Sequence, residues 1–250
     1  MEPGGSSARF RFYAELNDHL SPEQQFRNLE RRFFVPATVK DMIEGFGIPH
    51  TEVELIIANG NSVDFSYQVR DGDRIGVYPM FESLDIYSEL RVRPHALREM
   101  KFVLDVHLGK LAAYLRMLGF DTLYRSCFTD SELVKISCVD RRILLTRDRG
   151  LLKHSAVTRG YWLRQTDSRR QIAEVIQRFD LSALIQPFMR CMACNANLVS
   201  VSKEQIQNLL PARTAEFYDE FRQCSSCGRV YWKGSHYKRM QRWIEDLTPN

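Results

Sequence analysis

The sequence predicts a multidomain chain, first α+β and then α/β, ending in a small metal-bound module. Three observations carry that expectation. The first ninety residues give the order strand–strand–helix–strand–strand. Residues 95–186 alternate strands with helices, which implies a parallel sheet. Two Cys-x-x-Cys pairs, Cys191/Cys194 and Cys224/Cys227, then stand 29 residues apart. The expected domains are 1–92, 95–186 and 187–250, and a length of 250 residues suits two or three such units.

The first domain opens with the polar/apolar alternation Arg9-Phe10-Arg11-Phe12, as a half-buried strand requires. The apolar run Phe33-Phe34-Val35 marks a second strand. Thr38-Val39-Lys40-Asp41 carries the spacing of a helix start, and that helix should run from about Val39 to Phe46 before Gly47 and Pro49. Val53 to Ala58 reads as a strand, Asn59-Gly60 as a hairpin-type turn, and Arg74 to Tyr78 as a strand after the Gly72-Asp73 turn.

In the second domain Phe102-Val103-Leu104-Asp105 is a short buried strand ending in an acid. Leu108, Leu111, Ala112, Leu115 and Leu118 fall on one helical face, and Gly119 ends that helix. Thr122 to Tyr124 is a strand. Thr129 to Glu132 has capping-box spacing. Ile143 to Thr146 is a third strand, Tyr161 to Leu163 a fourth, and Arg170 to Phe179 the last helix.

Charge is unevenly divided. Residues 1–94 carry 10 Lys/Arg against 15 Asp/Glu, residues 95–185 carry 16 against 10, and residues 186–250 carry 9 against 6. A basic part behind an acidic one fits a polyanionic partner, although the same charges would also serve solubility. No apolar run approaches the ~18 residues that span a bilayer, and the N-terminus lacks the basic and apolar parts of a signal peptide. Paired cysteines in a chain of this length read as metal binding in a reducing compartment, hence a cytoplasmic protein without a membrane partner.

Two Cys-x-x-Cys knuckles complete a tetrahedral zinc site that leaves no open position, so Zn²⁺ at Cys191, Cys194, Cys224 and Cys227 is expected to be structural. The insert holding Phe217, Tyr218 and Phe221 is expected to cover it as a helix. Cys127 and Cys138 stand alone and read as small apolar fillers.

In an open parallel sheet, ligands bind beyond the carboxyl ends of the strands. Asp105, Asp130 and Asp148 fall at that edge. Gathered carboxylates repel unless a cation sits between them, and Mg²⁺ or Mn²⁺ suits oxygen donors. Such an ion can activate water for phosphodiester hydrolysis. Each acid also has a plainer account: Asp130 as a helix cap, Asp148 as a turn residue, and only Asp105 hard to explain structurally. Glu132 should be occupied in its capping box, with replacement of Asp130 as ligand the alternative; Asp167 reaches the same edge only with a fourth strand and reads as an N-cap, and Asp121 as structural. Past the second knuckle, Tyr231, Trp232, His236, Tyr237 and Trp243 interleave with Lys233, Lys238, Arg239 and Arg242. That pattern suits stacking on bases while holding phosphates, or packing on the module itself.

Two resemblances follow. The first domain's element order, with Asp71-Gly72-Asp73-Arg74-Ile75-Gly76-Val77-Tyr78-Pro79, resembles the ubiquitin-like β-grasp sulfur carriers. Those need a free terminal Gly-Gly, whereas here Met80-Phe81-Glu82-Ser83 follows, which excludes carrier chemistry and leaves docking to a protein partner or a structural appendage. Leu104-Asp105-x-x-Leu108-Gly109-Lys110-Leu111-Ala112-x-x-Leu115-Arg116-x-Leu118-Gly119-x-Asp121-Thr122 and Ile143-Leu144-Leu145-Thr146-Arg147-Asp148 resemble the Mut-seven C-terminal RNase domain, as do Arg190-Cys191-x-x-Cys194-Asn195 and Cys224-x-x-Cys227-Gly228-x-Val230-Tyr231-Trp232-x-Gly234-Ser235-His236. That resemblance implies a PIN-like nuclease fold with a zinc ribbon, an acidic metal site at Asp105, Asp130 and Asp148, and ribonuclease activity. RNA would be held by Arg147, Arg149 and the ribbon residues Trp232, Lys233, His236, Lys238 and Arg239. The alternative is a non-catalytic RNA-binding or scaffold protein; the sequence leaves the oligomeric state open.

Overall fold

We describe residues 5–79 and 100–247 of a computed structural model of the chain. In chain order the elements are β1 (Ser6–Phe12), β2 (Asn28–Phe33), α1 (Val39–Gly45), β3 (Leu55–Ala58), β4 (Asn61–Val63), β5 (Arg74–Tyr78), β6 (Lys101–Leu104), α2 (Gly109–Met117), β7 (Asp121–Leu123), α3 (Asp130–Val139), β8 (Ile143–Thr146), α4 (Arg149–Leu152), β9 (Gly160–Trp162), α5 (Ser168–Arg178), β10 (Leu198–Val201), α6 (Lys203–Ile206), α7 (Ala212–Phe217), β11 (Phe221–Cys224), β12 (Val230–Trp232) and α8 (Ser235–Leu247). Contacts divide them into two compact units. One joins the N-terminal residues to Thr129–Trp162; the other joins Met100–Phe128 to the chain from Leu163 onward.

The first unit holds a five-stranded sheet in the order β2-β1-β5-β3-β4. β1 and β5 are parallel, and the other neighbours are antiparallel. Alternation in β1 sends Phe10 and Phe12 into a core shared with Ile43, Ile48, Ile56 and Val77, all essentially inaccessible to solvent. The helix α1 begins as its sequence requires, with Thr38 and Asp41 in a reciprocal capping box. Asn59 and Gly60 both take positive φ, so the β3–β4 hairpin closes on the turn expected. The buried Asp73 fixes that end of the sheet by accepting from Asn59 Nδ2 at 2.7 Å, Tyr67 Oη at 3.0 Å and the Arg70 N–H at 2.8 Å.

Two details differ from the sequence reading. β2 lies at Asn28–Phe33, a sheet edge of alternating polar residues, and Phe34 and Val35 are exposed beyond it. β4 is three residues long, too short for a period to show.

The same unit carries α3, β8, α4 and β9. β8 and β9 pair in parallel, with Thr146 opposite Trp162. All four residues of β8 are buried. Thr129 and Glu132 form the second capping box. Removing a cap of this kind costs about 1 kcal/mol. Thr129→Ala is therefore expected to lower the melting temperature by roughly 2–4 °C in calorimetry.

In the second unit β6 and β7 are parallel, and α2 packs on α5. Phe102, Leu104, Leu111, Leu115, Leu118, Ile172 and Val175 are fully buried there. Asp167 caps α5, accepting from Arg169 and Arg170 N–H groups. β10, β11 and β12 form a separate antiparallel sheet. The insert between the knuckles supplies the short helices α6 and α7 and then β11, so Phe221 is a buried strand residue and Phe217 is exposed rather than both lying on one covering helix. Cys127 and Cys138 are exposed, not core fillers. Past β12 and Lys233, the aromatic and basic residues from His236 to Trp243 lie on the helix α8. Among the described residues no helix is long and apolar enough to cross a membrane.

Candidate metal centre and acidic residues

The two Cys-x-x-Cys segments fold as matching knuckles. Asn195 N–H donates to the Cys191 carbonyl at 2.9 Å and Gly228 N–H to that of Cys224 at 3.2 Å. Each turn is closed by a residue of positive φ, Asn195 at 73° and Gly228 at 72°. Glycine and asparagine tolerate that region best, which is why they follow the second cysteine of each pair. The β11 strand ends at Cys224, and its pairing with β10 sets Cys224 opposite Leu198, drawing the two knuckles together.

The four sulfurs lie within 4.8 Å of one another. Cys191 and Cys227 Sγ are 3.6 Å apart, Cys194 and Cys224 Sγ 3.3 Å. A tetrahedral zinc with sulfurs at about 2.3 Å needs sulfur–sulfur edges of about 3.8 Å, so the donor set fits a metal ion such as zinc. Burial raises the Cys191 thiol, but hydrogen bonds from Tyr231 Oη and from the Cys194 and Ala193 N–H groups outweigh it and bring it down to about 6. For Cys227 the backbone N–H of Arg229 favours the thiolate, yet desolvation and the neighbouring sulfurs push it up to about 12. One part of the cluster is primed as thiolate while another keeps a proton, which a dication would displace.

The centre is latched to β7 by residues of the family-like motif to which the sequence alone assigned no role. The buried Arg116 donates to Thr122 O (3.0 Å), Met192 O (3.1 Å) and Ala193 O (2.8 Å). Asn195 accepts the Thr122 N–H at 2.9 Å and donates to Asp121 Oδ1 at 2.8 Å. Asp121 is thus structural, as expected. Their signal was present in the sequence only as fixed spacing. Gly119, at φ +100°, lets the chain into the module pass close by: a Cβ there would stand 2.3 Å from Gln186 O. Gly119→Ala should therefore cost more than the roughly 1–3 kcal/mol of a strained backbone alone, read as a lower denaturant midpoint with unchanged slope.

Among the described residues no second group of three or more His, Cys, Asp or Glu comes together as the cysteines do. Each acid is placed locally as follows. Asp105 is half-buried directly after β6, and its carbonyl accepts the Leu108 N–H at 3.0 Å, turning the chain into α2. Asp130 is the first residue of α3 and exposed; Thr129 is the N-cap, so capping does not account for Asp130. Glu132 is occupied in the capping box. Asp148 N-caps α4, a helix too short to be read from the sequence, with Oδ1 accepting the Gly150 N–H at 2.7 Å. Arg147 and Arg149 flank it, both exposed.

A groove of about 840 Å³ runs along the cysteine module. Trp232, Lys233 and His236 line it together with Tyr218, Arg222 and Tyr237; Lys238 and Arg239 do not. Lys233 pairs with Glu220 at 2.5 Å on the surface. Trp243 and Tyr237 are engaged in packing, their ring centroids 4.8 Å from that of Tyr114 and 4.3 Å from that of Phe188.

An α/β chain with an N-terminal 2-1-5-3-4 sheet and a four-cysteine centre defines the class. The chain belongs to the Mut7-C RNAse domain family, whose model matches residues 100–244, and the Mut7-C ubiquitin model matches residues 5–85. No curated protein matches it.

Proposed function

We propose that the chain is a metal-dependent ribonuclease of the cytoplasm, built from a ubiquitin-like β-grasp domain (1–92), a PIN-like domain (95–186) and a Cys₄ zinc ribbon (187–250). The observation that carries this reading is the RNAse-family match across residues 100–244. Asp105, Asp130 and Asp148 are the proposed site. Carboxylates suit a hard cation, and Mg²⁺ or Mn²⁺ held by them would make a water easier to deprotonate for attack on a phosphodiester. Arg147 and Arg149 would hold the phosphates on either side of Asp148. The zinc is structural, since four thiolates leave it no open position.

The groove supports RNA as the partner. Trp232 offers a stacking face beside Lys233 and His236, and stacking on an aromatic is worth about 1–3 kcal/mol per base. Trp232→Ala is expected to weaken binding of a single-stranded oligoribonucleotide by roughly 5–150-fold in fluorescence anisotropy. Lys233→Ala should leave a shallower dependence on salt, with one fewer phosphate contact. The same groove favours the second reading, an RNA-binding protein without catalysis. Incubation of the zinc-loaded protein with RNA and Mn²⁺ separates them: products that vanish on chelating Mn²⁺ establish the enzyme, and intact RNA with salt-sensitive binding establishes the binder.

A further inference from the structure

The N-terminal sheet is not a free appendage within its unit. Glu52, in the turn before β3, is a buried carboxylate with a side-chain exposure of 0%. One oxygen meets His19 Nε2 at 2.9 Å. The other accepts the backbone N–H of Trp162, at the end of β9, at 2.6 Å. His50 Nε2 reaches the Val157 carbonyl at 2.8 Å, and Lys153 Nζ donates to the Glu44 carbonyl at 3.2 Å. Contact alone would be served more cheaply by apolar residues, because a buried charge is costly unless its partners need it. Toward β9, the group that Glu52 meets is the backbone N–H of Trp162.

Trp162 in turn holds the residues on both sides of Asp148. Its indole N–H donates to the Arg147 carbonyl at 3.2 Å, and the Arg149 guanidinium stands 4.7 Å from the ring centroid. Asp148 is then fixed from within the loop, its N–H donating to Thr146 Oγ1 at 2.9 Å and its Oδ1 accepting the Gly150 N–H. The His19 ring lies 5.1 Å from the Trp162 ring and backs it from the N-terminal side.

We infer that Glu52 is a positioning residue for the 147–149 loop, acting through Trp162, so that the ubiquitin-like domain sets the geometry of Asp148. The inference rests on the reading of Asp148 as a site residue only for its functional consequence; the structural coupling stands separately. It makes the domain an intramolecular support of the site, distinct from a docking module for another protein. The bond from the Trp162 N–H to the Glu52 carboxyl oxygen is short, at 2.6 Å, which is what a loop-setting contact needs.

The test is amide hydrogen exchange on the full-length, zinc-loaded chain with Glu52→Gln, and with Trp162→Phe, which keeps the ring for Arg149 and removes the indole donor. Both variants should speed exchange at Asp148 and Gly150 at least threefold, with β1–β5 and α5 unchanged. Mn²⁺ affinity should fall in both variants, and Trp162→Phe should lose less of it than Trp162→Leu. Unchanged exchange at 148 and 150 in both substitutions overturns the inference. If the unsubstituted chain neither binds Mn²⁺ nor cleaves RNA, the nuclease reading fails while the exchange rates still decide the coupling.

Discussion

Serine in place of Cys191 is expected to release the metal ion and unfold the sheet β10–β12. Cys191 is fully buried, and its sulfur lies 3.6 Å from Cys227 and 3.1 Å from Tyr231 Oη. Structural zinc contributes on the order of 10 kcal/mol to small modules that lack a core of their own. The core here is small: Cys191, Leu198 and Cys224, with Ala196 and Tyr231 packed against them. Losing a ligand should reduce zinc affinity by more than the ~10–100-fold that loss of an outer-shell partner costs. The knuckle carbonyls of Met192 and Ala193 would also leave Arg116, a buried cation whose stranding adds to the damage. Metal analysis should fall from one zinc per chain toward none, with exchange protection lost in β10–β12 and kept in β1–β5. A full zinc content in this variant would mean that the cysteines are not the ligand set.

The second large effect concerns activity. Asp105→Asn changes a carboxylate to an amide of the same shape, and under the proposed reading it removes the charge that would hold the cation. Cleavage is expected to drop by about 10²-fold or more, the scale on which loss of one electrostatic stabiliser is felt. The melting temperature should stay within a few degrees. Asp121→Asn is the control, because Asp121 faces Asn195 and Arg190 in the latch. It should cost roughly 1–3 kcal/mol of stability and leave the rate per folded molecule intact. Equal rates for Asp105→Asn and the unsubstituted chain would remove this acid from the site.

What the sequence disclosed follows from the range of the interactions involved. Thr38 and Thr129 announce their helices because a capping box is written within four residues. Gly119 announces a left-handed residue because its own backbone requires it. The cysteine pairs announce their centre because each knuckle is closed locally, by Asn195 and Gly228. The latch of Arg116 and Thr122 with Met192, Ala193 and Asn195 joins residues more than seventy positions apart, and no period or cap betrays such a pairing. Trp162 and Glu52 are hidden for the same reason, being 110 positions apart. α8 was obscured differently: its aromatics and cations suggested a binding tail, whereas helical spacing sets Ile244 into the fold and leaves Lys238, Arg239 and Arg242 exposed.

Calorimetric titration of Mn²⁺, with zinc already in place, asks directly whether the proposed acids after the strands hold a catalytic cation. Saturable binding is expected for the unsubstituted chain and its loss in Asp105→Asn, with the zinc content of both unchanged. Absence of binding in both, at full zinc occupancy, would contradict the metal-dependent site and leave the groove beside Trp232 as the functional surface.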